Sequence, residues 1–351
     1  MCSDNHSNLT YAMPLDAFDQ MLAALGQTSL IFAPTRIAHR GRFSDTDVIR
    51  YAPVQSVGQI EYRVKSDYSA KEVVFPINQV LFHFVQDQHI EPRQDTSPIL
   101  LLVRPCDIHA FERLDDVFLR NGPHPDPYYQ ALRQRVRFVL MECAEGFENC
   151  FCVSMGCNST DEYALAVRFE ADTVRVLIRD KQMVSAVPLT ARLCDFTPKF
   201  VTEDRQAVRV PDVHKMDEAV RHGRLFEHEM WKEYARRCIA CGRCNTHCPT
   251  CSCFTTFDVD GDDQSGQRRR TWASCHVERF TTMAGGHVFR EDIGSRMRFK
   301  VMHKIYDFPQ RFGKSMCVGC GRCDDACPEY ISLRTCINKL APIVEHEGGR
   351  K

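Results

Sequence analysis

Long apolar runs are missing from this chain of 351 residues. Its longest apolar stretches, such as Ile99–Val103, fall far short of the ~20 residues that a bilayer-crossing helix needs, so no membrane span is expected. The first ten residues, MCSDNHSNLT, lack a basic stretch followed by an apolar one. No secretory leader is read there, and the cytoplasm is the expected compartment. No G-x-G-x-x-G follows a strand, and no phosphate-binding G-x-x-x-x-G-K-[ST] loop occurs. No flavin, nicotinamide or nucleoside triphosphate site is therefore expected on the chain itself. No second constellation suits a haem-type cofactor, and no catalytic residue is assigned.

What remains is an ordinary composition with one abnormal component. At 44% hydrophobic and 26% charged residues, the chain has enough apolar surface to bury a core. Its net charge of −1 hides an asymmetry: from Trp231 onward there are 20 Lys/Arg against 14 Asp/Glu. A basic half raises nucleic acid as a partner, but no aromatic-interleaved basic stripe accompanies it. A cubane cluster held by four thiolates carries about two negative charges, so two such clusters offset most of that excess. The abnormal component is cysteine, with 19 residues. In a small secreted domain they would suggest disulfides. In a long chain read as cytoplasmic, tight clusters of cysteine point to metal.

Two of these clusters share one spacing. Cys238, Cys241, Cys244 and Cys248-Pro249 repeat as Cys317, Cys320, Cys323 and Cys327-Pro328. Both fit the bacterial ferredoxin run C-x2-C-x2-C-x3-C-P at every position. Three cysteines two residues apart let one tight loop hold three corners of a cubane, and Gly242 and Gly321 let the backbone approach inorganic sulfide. The proline turns the chain away after the fourth cysteine. In two-cluster ferredoxins that fourth cysteine serves the other cluster. The expectation is therefore two 4Fe–4S clusters, one on Cys238, Cys241, Cys244 and Cys327, the other on Cys317, Cys320, Cys323 and Cys248. A zinc site instead uses two separated C-x2-C pairs; a third cysteine in the same turn crowds a single ion.

The N-terminal part reads as α/β. Residues 14–25 form an amphipathic helix with Phe18, Met21, Leu22 and Leu25 on one face and Gly26 as its stop. Ile99–Val103 and Val136–Met141 read as buried strands with a helix over 108–119 between them. If they are parallel, Cys106 and Cys143 share the edge where such sheets gather ligands. Residues 163–169 and 174–179 read as a hairpin, 214–237 as a charged helix, and 195–212 as the connection between domains. The expected architecture is an α/β domain over 1–210 and a mainly α-helical two-cluster ferredoxin-type domain over 211–351.

The remaining cysteines leave alternatives open. Cys106, Cys143, Cys150 and Cys152 either hold a third 4Fe–4S cluster or pack as small hydrophobes, and Cys157 is a substitute for any of the four. Cys251, Cys253 and Cys275 either pack around a cluster and tune it or fill the core. His276 and His287 are either ligands or proton carriers or, as the preferred reading, hydrogen-bonded structural histidines; Arg268–Arg270 read as a loop facing solvent or an acidic partner, and Cys2, Cys194 and Cys336 carry no functional claim.

Several segments together resemble the A subunits of bacterial anaerobic sulfite reductases: GRFSDTD (41–47), RPCDIHAFERLD (104–115), ECAEGFENCFCVSMG (142–156), CPTCSCF (248–254), WASC (272–275) and MAGGH (283–287), beside the two cysteine runs. They are spread over most of the chain. The middle segments are shared with the beta subunits of soluble sulfhydrogenases. The resemblance implies an electron-transfer subunit between a flavin- and nicotinamide-binding reductase subunit and a sirohaem subunit that reduces sulfite to sulfide. The alternative is the corresponding relay of a nickel–iron hydrogenase. A cluster-based redox sensor is a third reading, of another class; it would need a recognition module such as a basic helix–turn–helix, which the sequence lacks.

Overall fold

The structure, a computed structural model, describes residues 9–345 apart from 87, 94 and 262–264; Cys2 lies outside the described residues. The chain opens with β1 (Leu9–Pro14) and α1 (Leu15–Gly26). The strands β2 (Leu30–Ile37), β3 (Val48–Pro53), β4 (Asn78–Val85), β5 (Gln88–Ile90) and β6 (Ile99–Val103) follow. Then come α2 (Pro105–Leu119), α3 (Pro127–Arg133), β7 (Val136–Met141), β8 (Leu165–Phe169), β9 (Thr173–Ile178) and β10 (Arg192–Leu193). Eight of these strands form one mixed sheet in the order β10-β1-β9-β8-β7-β6-β2-β3. Its centre, β2, β6, β7 and β8, is parallel.

The unbroken apolar run of β6 explains that position. Leu100 and Leu102 pack on the face covered by α1, with Met21 and Leu22. Ile99, Leu101 and Val103 pack on the other face, with Phe111 and Leu114 of α2. Both faces are covered, so every residue of the strand is buried, as expected for a central parallel strand. Each of its leucines contributes roughly 2 kcal/mol of burial. Val103 pairs with Leu140 in parallel register. The carboxyl ends of β6 and β7 therefore lie together, and the chain runs from them into Cys106 and Cys143.

The second half contains α4 (Val213–Arg221), α5 (Met230–Arg237), α6 (Arg243–Thr246), β11 (Phe254–Asp260), β12 (Ser265–Trp272), α7 (Ile293–Met302), α8 (Phe308–Phe312), α9 (Arg322–Asp325) and α10 (Leu333–Glu345). The single helix expected over 214–237 is two. The break comes at Gly223, whose φ of +69° ends α4, and Trp231 Nε1 then donates to the Leu225 carbonyl at 2.7 Å to fix the turn.

The helical expectation for this half holds in part: beside its helices, the insertion between the two cysteine runs is partly a hairpin. β11 and β12 pair with each other, and β12 pairs with β4 from the first half, in a four-stranded sheet ordered β11-β12-β4-β5. Sheet pairing thus crosses the division expected near residue 210. Arg268–Arg270 lie in β12, not in a loop. Arg268 pairs across the ladder with Asp258. Arg270 is 1% exposed, 2.6 Å from Asp126, and its guanidinium lies 5.1 Å from the Phe75 ring centre. Alternation puts Arg269 on the face opposite Arg270, and a register shift between Arg268 and Arg269 breaks the pattern for Arg268. Among the described residues no helix is long and apolar enough to cross a membrane.

Candidate metal centres

The two cysteine runs fold into matching loops. Ala240 (φ +55°) and Gly242 (φ +75°) of the first correspond to Gly319 (φ +68°) and Gly321 (φ +72°) of the second. Each loop then enters a one-turn helix, α6 capped by Gly242 or α9 capped by Gly321. The left-handed positions wind the backbone tightly enough to point N–H groups inward. Ala240 N–H reaches Cys238 Sγ at 3.4 Å, and Ile331 N–H reaches Cys327 Sγ at 3.3 Å. At the matching position of the second loop, Gly319 N–H serves Cys317.

The cysteines gather in a crossed pattern. Cys238, Cys241, Cys244 and Cys327 line one cavity, which Cys323 also borders and which Ile239, Met297, Ile331 and Leu333 close. Cys248 leaves its own run and lies within electrostatic reach of Cys317, Cys320 and Cys323. These last four are each buried, whereas Cys241 is exposed and Cys238, Cys244 and Cys327 are half-buried. Burial raises the thiols of Cys317 to about 12 and Cys320 to about 11. Among the described residues, no three or more His, Cys, Asp or Glu side chains are placed to hold a single ion. That arrangement is what a zinc site requires.

Three lysines test whether an anionic cluster suits this space. Lys71, Lys300 and Lys304 are 2%, 4% and 2% exposed. Among the described residues none of them is paired with a carboxylate. Lys71 donates to the Cys251 carbonyl at 2.9 Å and lies 4.0 Å from the Trp272 ring centre. Lys304 donates to Thr250 Oγ1 at 2.9 Å. Burial alone would lower Lys300, yet Cys244 and Cys323 hold it well above its ordinary value. Burial does pull Lys71 down, with Lys304 adding to the effect. Buried cations without partners are costly, and two dianionic clusters supply the missing counter-charge. The residues present fit the group.

The lysines were the functional residues missed in the sequence. Lys300 and Lys304 stand in an apolar stripe with Met297, Val301 and Ile305, the 3.6-residue period of a buried face. Lysines in such a stripe are a readable signal. Lys71 carries none. A π-turn over His303–Asp307 follows Met302 directly, within the segment that delivers Lys304.

The other cysteines separate clearly. Cys251 hydrogen-bonds Cys248, and with Lys304 and Lys71 close by this holds Cys248 well below the usual thiol range. Cys275 does the same for Cys253, pulling it down to about 7 against its burial. Asn245 Nδ2 donates to Cys275 Sγ at 2.9 Å. Cys251 therefore sits beside Cys248, while Cys275 lies near Cys244 with Cys253 hydrogen-bonded to it. Cys106, Cys143, Cys150 and Cys152 gather beside the second loop. Cys157 does not join them: its thiol faces Arg113 Nη2 at 3.5 Å and the Met155 carbonyl. Cys194 lies next to β10 on a sheet edge, bonded to β1 through Thr10, and Cys336 is buried in α10 against Tyr234. His276 is 1% exposed and 3.9 Å from Cys238 Sγ; burial, then Lys300 and Arg296, lowers it to about 3, so it stays neutral. His287 is exposed and packs edge-on against Phe289.

Comparison with known proteins agrees with this chemistry. Residues 237–331 match the family described as "4Fe-4S dicluster domain". The cofactors of this half of the chain are therefore 4Fe–4S clusters. Sulfhydrogenase 2 subunit beta of Pyrococcus furiosus is 28% identical over 325 residues, covering 90% of this chain and 93% of that protein. No solved structure matches the chain.

Proposed function

We propose that this chain is the iron–sulfur electron-transfer subunit of a multi-subunit oxidoreductase, of the kind served by sulfhydrogenase beta subunits. The observation that carries the reading is the cavity where Cys327 of the second run, with Cys323 beside it, joins Cys238, Cys241 and Cys244 of the first. In this proposal those four hold one 4Fe–4S cluster, and Cys317, Cys320, Cys323 and Cys248 hold the other. Each cluster supplies one-electron storage. The protein's contribution is to exclude water, aim N–H groups at the thiolates, and place Lys300 and Lys304 where negative charge arrives. Hydrogen bonds and buried charge of this kind set the potential. No substrate site of the chain's own enters the scheme. Electrons come from one partner, a flavin- and nicotinamide-binding subunit, and leave to another.

The catalytic partner is the finer choice. The segments that resemble sulfite reductase A subunits are shared with sulfhydrogenase beta subunits, and the near full-length likeness is to the latter. A nickel–iron hydrogenase is therefore the first reading for the partner and a sirohaem sulfite reductase the second. Purification of the native complex through a tag on this chain decides between them. Nickel with hydrogen-dependent viologen reduction is expected. Sirohaem absorbance with sulfite-dependent oxidation of a reduced nicotinamide would replace that reading by the other.

A further inference from the structure

The geometry points to a third 4Fe–4S cluster, held by Cys106, Cys143, Cys150 and Cys152, which extends the electron path from the dicluster domain to a cleft at the carboxyl edge of the large sheet. This rests on the electron-transfer reading above and deepens it.

Three segments deliver these four thiols to one place. Cys106 stands in the first turn of α2, immediately after β6. Cys143 follows β7, held by a bridge to Phe200 and by Val201 N–H on its carbonyl at 2.8 Å. Cys150 and Cys152 come from the next loop and are 7% and 6% exposed. Cys152 is within electrostatic reach of Cys150 and Cys143, and Cys106 of Cys152. Cysteines on three separate segments thus meet at one spot at the sheet edge, Cys106 and Cys152 packing beside Ala110 and Phe151 in the core.

That spot is built against the second ferredoxin loop. Phe151 N–H donates to the Gly319 carbonyl at 2.7 Å. Any side chain at Gly319 would run into the Phe151 carbonyl, and one at Gly321 into the Asn149 carbonyl. Cys150 Sγ lies 3.5 Å from the Cys320 carbonyl. The backbone between the two groups of cysteines is thus as close as backbones come. Arg322 Nη1 reaches Asp107, the residue after Cys106, at 2.7 Å, and so clamps the two segments together.

The charge is right for an anionic group. Lys65 Nζ is 3.9 Å from Cys150 Sγ and 3.0 Å from the Cys320 carbonyl, and it also pairs with Asp325 at 2.5 Å. Arg104 is 7% exposed, donates to the Glu142 and Tyr62 carbonyls, and has no carboxylate partner among the described residues. It hydrogen-bonds Cys143. Cys150 and Cys152 are buried and Cys106 and Cys143 half-buried, and a metal cluster shared by the four thiolates gives this arginine its counter-charge.

The positions also give the path an order. Cys106 neighbours Cys320, so the Cys317–Cys323 loop stands between the new site and the Cys238 cavity. The middle set is wholly buried. Both outer sets reach the surface: Cys241 is exposed at one end, and Cys143 lines an open cleft of about 550 Å³ at the other. An electron taken from a reduced donor at one end leaves to an oxidised acceptor at the other, with no bond made and no proton required.

Iron and acid-labile sulfide on anaerobically purified full-length protein test the proposal. About twelve of each per chain are expected. Cys152→Ala is expected to lower both to about eight and to retain the dicluster signal in electron paramagnetic resonance. Should that variant not fold, Cys143→Ala, at the cleft, reads the same loss. Cys194→Ala keeps about twelve. Wild-type protein with about eight irons, or Cys143→Ala and Cys152→Ala both retaining the wild-type content, overturns the third cluster. One zinc per chain displaced by either substitution overturns it too. Failure of the parent reading looks different: Cys241→Ser would then leave iron unchanged, or the wild type would contain no labile sulfide.

Discussion

Arg322→Leu probes the joint between the two halves of the molecule. Arg322 is 2% exposed and Asp107 is 1% exposed. The guanidinium meets the carboxylate at 2.7 and 3.0 Å and also donates to the Ser66 carbonyl and hydroxyl at 3.0 and 2.9 Å. Leucine fills much of the volume but leaves Asp107, among the described residues, with only the Tyr51 hydroxyl, at 3.4 Å. Removing one partner of a buried pair costs about 3–5 kcal/mol, because the survivor keeps an uncompensated charge. For a cooperative unit of roughly 200 residues, each kcal/mol lowers the thermal midpoint by about 2–4 °C. The expected fall is therefore on the order of 6–20 °C. Replacing both residues, Arg322→Leu with Asp107→Leu, removes the stranded charge and is expected to recover most of the loss. The assay is thermal unfolding of anaerobic protein followed by circular dichroism, with all four members of the cycle. A single variant within 2 °C of wild type, or a double variant worse than the single by the full cost of a second lesion, refutes the reasoning.

Cys320→Ser is expected to lose one cluster, about four irons per chain, and to stop electron flow between partners, read as donor-dependent reduction of the acceptor subunit; flow at the wild-type rate counts against the relay. Lys300→Met removes a buried cation beside Cys244 and Cys323. Positive charge favours the reduced cluster, so the midpoint potential falls. At an assumed distance of roughly 8 Å and an effective dielectric constant of about 20, the interaction is about 2 kcal/mol, or ~90 mV for one electron. A potentiometric titration showing an unchanged or raised potential contradicts this. Gly319→Ala forces the Phe151 carbonyl away from the second loop and is expected to cut cluster retention in air at least several-fold, measured as the decay of charge-transfer absorbance. Ala240→Gly, at the matching but uncrowded position, should retain its cluster like wild type.

Much of the fold was legible because its signals are local. The five apolar residues Ile99–Val103 could be satisfied only between two covered faces, and the 163–179 alternation folds into the β8–β9 hairpin. The cysteine spacing is local too, which is why both loops were readable residue by residue. What escaped depends on contacts distant in sequence. The β12–β4 pairing joins residues 78–85 to 265–271, and nothing near Arg268 says that its neighbour Arg270 will be buried against Asp126. The Asp107–Arg322 pair spans 215 positions. Cys157 looks equivalent to Cys152 in the sequence, and only the fold turns it toward Arg113 instead. Lys300 and Lys304 sat in plain view on an apolar stripe, but a lysine there reads as a flaw in a helix until the neighbouring thiols are in place.

An iron-edge anomalous difference map from crystals grown without air tests the central claim most directly. The account predicts one compact group of iron peaks bounded by Cys238, Cys241, Cys244 and Cys327, and another bounded by Cys317, Cys320, Cys323 and Cys248. A lone peak at a zinc edge between cysteines of a single run, or an iron group in which Cys248 stays with its own loop, would contradict it.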